Sequence, residues 1–148
     1  MRRRTLGDIL FIGRCFKIYR ARSLADTELS PAQQMLLSHV CRRPGLAQEE
    51  LISALYLDKT TVAHQLMTLE ARGCIRREAP AEDGRCRKVY PTDKAMEIYP
   101  RIRASFESFT EAMLTGFCEE ERAELEKLTE RLCANALALL SGEGRDAP

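Results

Sequence analysis

Small side chains that form hydrogen bonds are concentrated in the middle of this 148-residue sequence. A helix predicted after Asp58 carries Val62, Leu66 and Leu69 at spacings of four and three, which places its polar residues on the opposite side. That side carries mainly Lys59, Thr60, Ala63, His64, Gln65 and Thr68. The candidates for DNA contact near the start of the helix are Lys59, Thr60, Thr61, His64 and Gln65. Side chains of these types on an exposed helix can contact base edges in the major groove of DNA.

Positive charge is concentrated directly after that helix, although the whole chain has a net charge of only +1. The cations are Arg72, Arg76, Arg77, Arg85, Arg87 and Lys88, and the acids among them are Glu78, Glu82 and Asp83. A hairpin with such a cationic rim can lie against phosphates or enter the adjacent minor groove. A basic hairpin alone is usually a solvated surface, so the prediction of DNA binding depends on the helix and the hairpin together.

Helix and turn signals place these residues in a compact arrangement. Ser30 and Pro31 are typical of a helix start, and Gly73 is typical of a helix end. Pro80, Asp83 and Gly84 predict the tip of the hairpin. We predict helices over about Thr5–Ala25, from Ser30 to near Arg43, over Gln48–Ala54, from Asp58 to Gly73, from Thr92 to about Phe117 and over Glu119–Leu140, with strands at Cys74–Glu78 and Arg85–Tyr90.

This order of elements predicts a mainly α fold with a small β-wing, which is a winged helix-turn-helix flanked by N- and C-terminal dimerisation helices. The predicted domains are a helical dimerisation region at 1–29 and 92–140, a DNA-binding domain at 30–91 and a flexible tail at 141–148. The terminal helices are too long and too apolar for the central domain to cover. A homodimer would bury them and would set two recognition helices about one DNA turn apart.

The central sequence resembles the multiple antibiotic resistance regulator (MarR) family of transcriptional regulators. The resemblance rests on Leu29–Gln33, Gln48–Leu51, Leu57–Val62, Leu69–Gly73, Arg76–Arg77, Asp83–Arg85 and Pro91–Ala95. It implies a homodimer that binds a pseudo-palindromic double-stranded DNA operator, usually as a repressor released by a small ligand or by oxidation. It also implies that Arg85 reaches the DNA and that Asp83 orients the wing.

Four positions depart from the usual pattern of that family. Arginine is usual where His64 and Thr68 stand, and leucine and glycine are usual where Pro91 and Ala95 stand. The matching helix and wing residues therefore predict the fold and a general DNA-binding role. They do not predict which bases are contacted. The resemblance further implies an effector pocket between the DNA-binding and dimerisation parts, for which we select the candidate walls Phe11, Tyr19, Met35, His39 and Phe106.

The six cysteines suggest an alternative mode of control. Cys15 lies near several cations of the first helix, and Cys86 lies between Arg85 and Arg87 on the wing. Cations of this kind can lower the pKa of a thiol, which makes a thiol-based oxidant-sensing repressor the alternative to ligand control. No two cysteines are closer than Cys74 and Cys86, so the sequence contains no CxxC pair for a metal or for redox chemistry.

Other classes of protein are disfavoured by the sequence. We expect no enzyme, cofactor or metal site, because no nucleophile–base pair, glycine-rich phosphate loop or spaced metal ligands occur. No apolar run is long enough for a membrane span, so we expect a cytoplasmic protein. A winged-helix protein-interaction module without DNA binding is a further alternative, and it would carry apolar rather than arginine-rich outer faces.

Overall fold

The computed structural model describes residues 2–79 and 87–141. Within these ranges helices dominate, and a small antiparallel sheet lies in the middle of the chain. The elements are α1 (Arg2–Ser23), a 3-10 turn (Ala25–Thr27), α2 (Pro31–Arg42), β1 (Leu46–Ala47), α3 (Gln48–Leu55), α4 (Lys59–Ala71), β2 (Ile75–Glu78), β3 (Lys88–Pro91), α5 (Asp93–Met113) and α6 (Glu119–Ser141). The predicted fold class is confirmed, with one strand more than the sequence indicates.

Local hydrogen bonds explain where α2 and α3 begin. The Ser30 hydroxyl accepts the N–H of Gln33 at 3.2 Å, and the Gln33 side chain accepts the N–H of Ser30 at 2.9 Å. This reciprocal pair is a capping box and confirms the predicted start of α2. Ala47 has no side-chain acceptor, but the Glu50 carboxylate accepts its N–H at 2.7 Å and so supplies half of such a box at α3.

One hydrophobic core joins α2, α3, α4 and the sheet to the first half of α5. Its fully buried members include Leu36, Leu37, Val40, Leu51, Val62, Leu66, Leu69, Val89 and Ile102. The apolar stripe predicted for α4 lies entirely in this core. This packing sets the orientation of α4, because rotation of the helix would expose leucine side chains and bury polar ones.

The sheet has the strand order β1-β3-β2, and both pairs of strands are antiparallel. The sequence analysis did not predict β1, in which Leu46 pairs with Val89. Gly45 precedes it with φ +85°, and a Cβ atom there would lie 3.3 Å from the Tyr90 ring. Glycine therefore allows both the left-handed backbone and the close approach of the wing strand.

The chain divides into two compact units, the first ending at Phe109 and the second beginning at Thr110. In the second unit α5 ends at Met113, earlier than predicted, and a turn containing Gly116 at φ +88° leads into α6. Helix α6 includes Ser141, and the rest of the predicted tail lies outside the described residues. No helix in the described ranges has the length and apolarity needed to cross a membrane.

Candidate nucleic-acid interface

Helix α4 begins in a turn that is closed by hydrogen bonds. Tyr56 ends α3 in the left-handed conformation with φ +50°, and Asp58 follows as the N-cap of α4. The Asp58 carboxylate accepts the N–H of Thr61 at 2.8 Å and its hydroxyl at 2.5 Å. These hydrogen bonds from Thr61 lower the pKa of Asp58, because they favour the charged carboxylate. The predicted cap is confirmed and fixes the first turn of the helix.

The outer face of α4 carries most of the predicted base-contacting residues. Lys59, Thr60 and His64 are exposed, whereas Thr61 and Gln65 are half-buried. The Thr61 hydroxyl is occupied by Asp58, and the Gln65 Oε1 atom is buried without a hydrogen-bond partner in the described structure. The exposed side chains Lys59, Thr60 and His64 are therefore better placed for DNA than Thr61 and Gln65.

Arg72 is engaged at the C-terminal end of α4. Its guanidinium donates a hydrogen bond to the backbone carbonyl of Glu28 and lies 3.9 Å from the Glu28 carboxylate. Lys94 donates to the Arg72 carbonyl at 2.8 Å, and Gly73 follows with φ +70°. We predicted a DNA contact for Arg72, but the structure places its guanidinium against the turn that precedes α2.

Two further cations of the hairpin are paired with carboxylates, Arg77 half-buried and Arg76 at the surface. Arg77 pairs with Glu70 of α4 through Nε, at 2.9 Å from Oε2, and through Nη2. Hydrogen bonding to Arg77 lowers the pKa of the Glu70 carboxyl. Arg76 pairs with Glu78 and lies 4.8 Å from the centre of the Tyr90 ring. The count of hairpin cations in the sequence therefore overstates the charge available to DNA.

The remaining wing predictions divide between exposed and undescribed residues. Arg87 and Lys88 are exposed at the start of β3. Asp83, Arg85 and Cys86 lie outside the described residues, so their predicted roles stay predictions. The positive charge of Arg87 also contributes to the lowered pKa of the Glu70 carboxyl, after the larger effect of Arg77.

A cavity of about 500 Å³ lies against α2 and α5. Three of the five predicted pocket residues line it, namely Met35, His39 and Phe106. The other lining residues are Ser38, Arg42, Tyr99, Arg103 and Glu107. The other two predicted residues, Phe11 and Tyr19, do not line this cavity. Phe11 is exposed on α1, and the centre of the Tyr19 ring lies 5.3 Å from that of the Phe109 ring.

The described cysteines differ in burial. Cys41 and Cys74 are buried. Desolvation raises the pKa of the Cys41 thiol to about 11, and it also raises the pKa of the Cys74 thiol. Neither supplies a thiolate at neutral pH, so both behave as core residues. Cys15 is half-buried in α1, and its proposed redox role stays a prediction.

Sequence reasoning missed Met67 on the outer face of α4. Its side chain is 59% exposed, although methionine is usually buried. It follows Thr60 by seven residues, so helical periodicity places the two on one side of the helix. The seven-residue spacing could have indicated that Met67 lies on the outer face. Because methionine is apolar, it was not considered for that face.

Comparison with known proteins agrees with this geometry. The family model described as "MarR family" matches residues 27–85. The chain is 30% identical over 130 residues to the uncharacterized HTH-type transcriptional regulator YybA of Bacillus subtilis, covering 88% of this chain and 87% of that protein.

Solved structures give the same result. A crystal structure of MarR superposes with a TM-score of 0.78 at 32% identity, covering 90% of this chain and 97% of the other. A Listeria monocytogenes protein assigned to the MarR family, crystallised with a 26mer DNA, has a TM-score of 0.79 at 27% identity, covering 93% and 94% of the two chains. The fold and family are those of transcriptional regulators, which are not enzymes. The chain therefore belongs to the MarR family of winged helix-turn-helix, DNA-binding transcriptional regulators.

Proposed function

We propose that this chain is a homodimeric repressor that binds a pseudo-palindromic operator in the cytoplasm and is released by a small organic anion. The observation that carries the DNA-binding part is the division of α4 into two faces. Val62, Leu66 and Leu69 are fully buried, while the polar residues Lys59, Thr60 and His64 face solvent directly before the wing hairpin. A helix so divided can enter the major groove while its inner face stays packed.

Exposed apolar side chains on the terminal helices support a homodimer. On α1 the exposed residues are Leu6, Ile9, Leu10, Phe11, Ile12 and Ile18, and on α6 they are Leu125, Leu128, Leu132, Leu137, Leu139 and Leu140. Many large apolar side chains exposed on a helix are characteristic of a protein interface. A second copy that covers these faces would place two α4 helices on one duplex, which is the symmetry of a palindromic operator.

The chemistry of the cavity supports the class of effector. Met35, Tyr99 and Phe106 provide apolar and aromatic walls, and Arg42 and Arg103 provide positive charge. Arg103 pairs with Glu107 at 3.0 Å. An apolar body that carries one carboxylate would match such a lining, because a charged group entering a cavity needs a charged partner there.

Salt dependence and stoichiometry test DNA binding. We expect the full chain to enrich duplexes from a random-sequence pool and to bind them as two chains per duplex in sedimentation. Affinity should fall steeply between low and moderate salt, because counterions leave the phosphates on binding. Arg87→Ala should weaken binding to all enriched duplexes. It should also reduce the salt slope, which is the slope of log affinity against log salt concentration, by about one per chain.

Lys127→Ala, which removes an exposed cation of α6, is the control matched in charge. It should leave both the affinity and the salt slope unchanged. Affinity that ignores salt, or a single 16.8 kDa chain as the only species at micromolar concentration, would contradict the proposal.

Thermal unfolding with benzoate tests effector control. Benzoate should raise the melting temperature and weaken DNA binding, because a ligand that binds the folded state stabilises it in proportion to ln(1 + [L]/Kd). Benzamide has the same shape without the charge and should have less effect. Arg42→Gln should reduce the response to benzoate to that of benzamide. Equal responses of the unmodified chain to the two compounds would exclude an anion-selective cavity.

A further inference from the structure

The polar groups in the middle of α4 are largely used inside the protein. Besides Thr61, the Thr68 hydroxyl donates to the His64 carbonyl at 3.1 Å, and Glu70 is paired with Arg77. Hydroxyl and carboxylate groups with internal partners gain little from contact with a base edge. Beyond the first turn of α4, the exposed His64 is therefore accompanied by few polar groups that are free to contact a base edge.

The same part of α4 lacks the two side chains that most often contact guanine. Lys59 is the only lysine of α4, at its first position, and residues 60–71 contain neither lysine nor arginine. Guanine in the major groove is contacted chiefly by bidentate arginine or lysine. The middle of this helix therefore lacks the bidentate contact that most often selects guanine.

Methyl-bearing side chains form a stripe along the outer face of α4. Thr60, Ala63 and Met67 follow one another at spacings of three and four, which places them on one side of a helix. Thr60 is exposed, Ala63 is half-buried, and Met67 is 59% exposed. We name Thr60, Ala63 and Met67 the methyl stripe. It begins beside Lys59 and is continuous with the DNA-binding face.

The thymine C5-methyl is the one apolar group that base pairs present in the major groove. We infer that the methyl stripe packs on thymine methyl groups in the major groove. A·T pairs whose thymine methyl groups face α4 would then specify the centre of each operator half-site. This inference rests on the proposed operator binding. It assigns Met67 as the residue that determines specificity and explains why an apolar side chain stands exposed on this helix.

Removal of single thymine methyl groups tests the inference directly. Duplexes enriched by the full chain from a random-sequence pool are remade with deoxyuridine in place of one thymine at a time, which deletes only the methyl group. We expect affinity to fall by about fourfold per methyl group at the half-site positions that Met67 contacts, from the transfer free energy of one buried methylene. Deoxyuridine between the half-sites should have no effect.

Two variants connect the effect to Met67. At the positions that Met67 contacts, Met67→Ala should bind thymine and deoxyuridine duplexes with nearly equal affinity. Met67→Leu should retain most of the discrimination there, because it keeps an apolar side chain of similar volume. Thermal unfolding of both variants checks that they fold. A thymine preference in Met67→Ala as large as in the unmodified chain would overturn the role of Met67.

The outcome for operator binding is separate from the outcome for the methyl stripe. If no duplex is enriched, operator binding itself fails. If duplexes are enriched and bind with the expected salt dependence, but their half-sites carry G·C pairs or are insensitive to deoxyuridine, DNA binding stands and the methyl stripe is excluded as the reading surface.

Discussion

Leu66→Ala is expected to lower the free energy of unfolding by about 2–5 kcal/mol and to weaken DNA binding at 37 °C. Leu66 is fully buried on the inner face of α4, where it packs in the core formed with α2 and α3. Truncation leaves a cavity that the surrounding residues cannot fill completely. Since a domain is stable by only about 5–15 kcal/mol, this loss would remove a large part of the stability that keeps α4 ordered.

The neighbouring residue provides a matched control on the same helix. Met67→Ala removes a side chain of similar size from the solvent-exposed face, and we expect it to change stability by less than about 0.5 kcal/mol. Urea unfolding at fixed protein concentration measures both variants. Equal losses for the two variants would contradict the assignment of the inner and outer faces of α4.

The helices of the DNA-binding domain were predictable because their signals are local. Ser30 and Asp58 cap α2 and α4 through the backbone three residues away, and Gly73 ends α4 with positive φ. The inner face of α4 followed from periodicity, because a single core determines which side of the helix is buried. These features depend on residues within one or two helical turns of each other.

Strand β1 was not predictable in the same way. It has two residues, so it has no periodicity to detect, and it exists because Leu46 pairs with Val89 more than forty positions later. The end of α5 at Met113 was also placed too late, because no proline or charge pattern marks it before the turn at Gly116. Tertiary pairing and loop geometry determine both features.

The candidate site was predicted in its position more accurately than in its contacts. Periodicity placed Thr60 and His64 outward, but it contained no information that Arg72 would meet Glu28, forty-four residues earlier. Side-chain pairings of this kind depend on distances between elements. For the same reason the cavity included Met35 and Phe106 but not Phe11.

Arg20 forms an unusual buried contact in α1. The residue is 3% exposed, and its guanidinium lies 4.4 Å from the centre of the Phe106 ring and 5.3 Å from that of Phe16. Its Nε and Nη2 atoms have no hydrogen-bond partner in the described structure. Burial lowers the pKa of Arg20 to about 10, so the group remains charged at neutral pH. Each unsatisfied donor costs about 1–3 kcal/mol, while the contact with the rings returns about 2 kcal/mol.

Arg20→Met is therefore expected to raise the free energy of unfolding by about 1–3 kcal/mol, because methionine keeps an apolar contact with both rings and removes the unpaired donors. The gain should be constant between pH 6 and 9 and should shrink as the pH rises through about 10, where the native arginine begins to lose its proton more readily than the unfolded one. Urea unfolding across this range measures it, with the exposed Arg22→Met as the control on the same helix. A loss of stability in Arg20→Met would contradict the argument and would mean that the guanidinium meets an anion that a single chain does not supply.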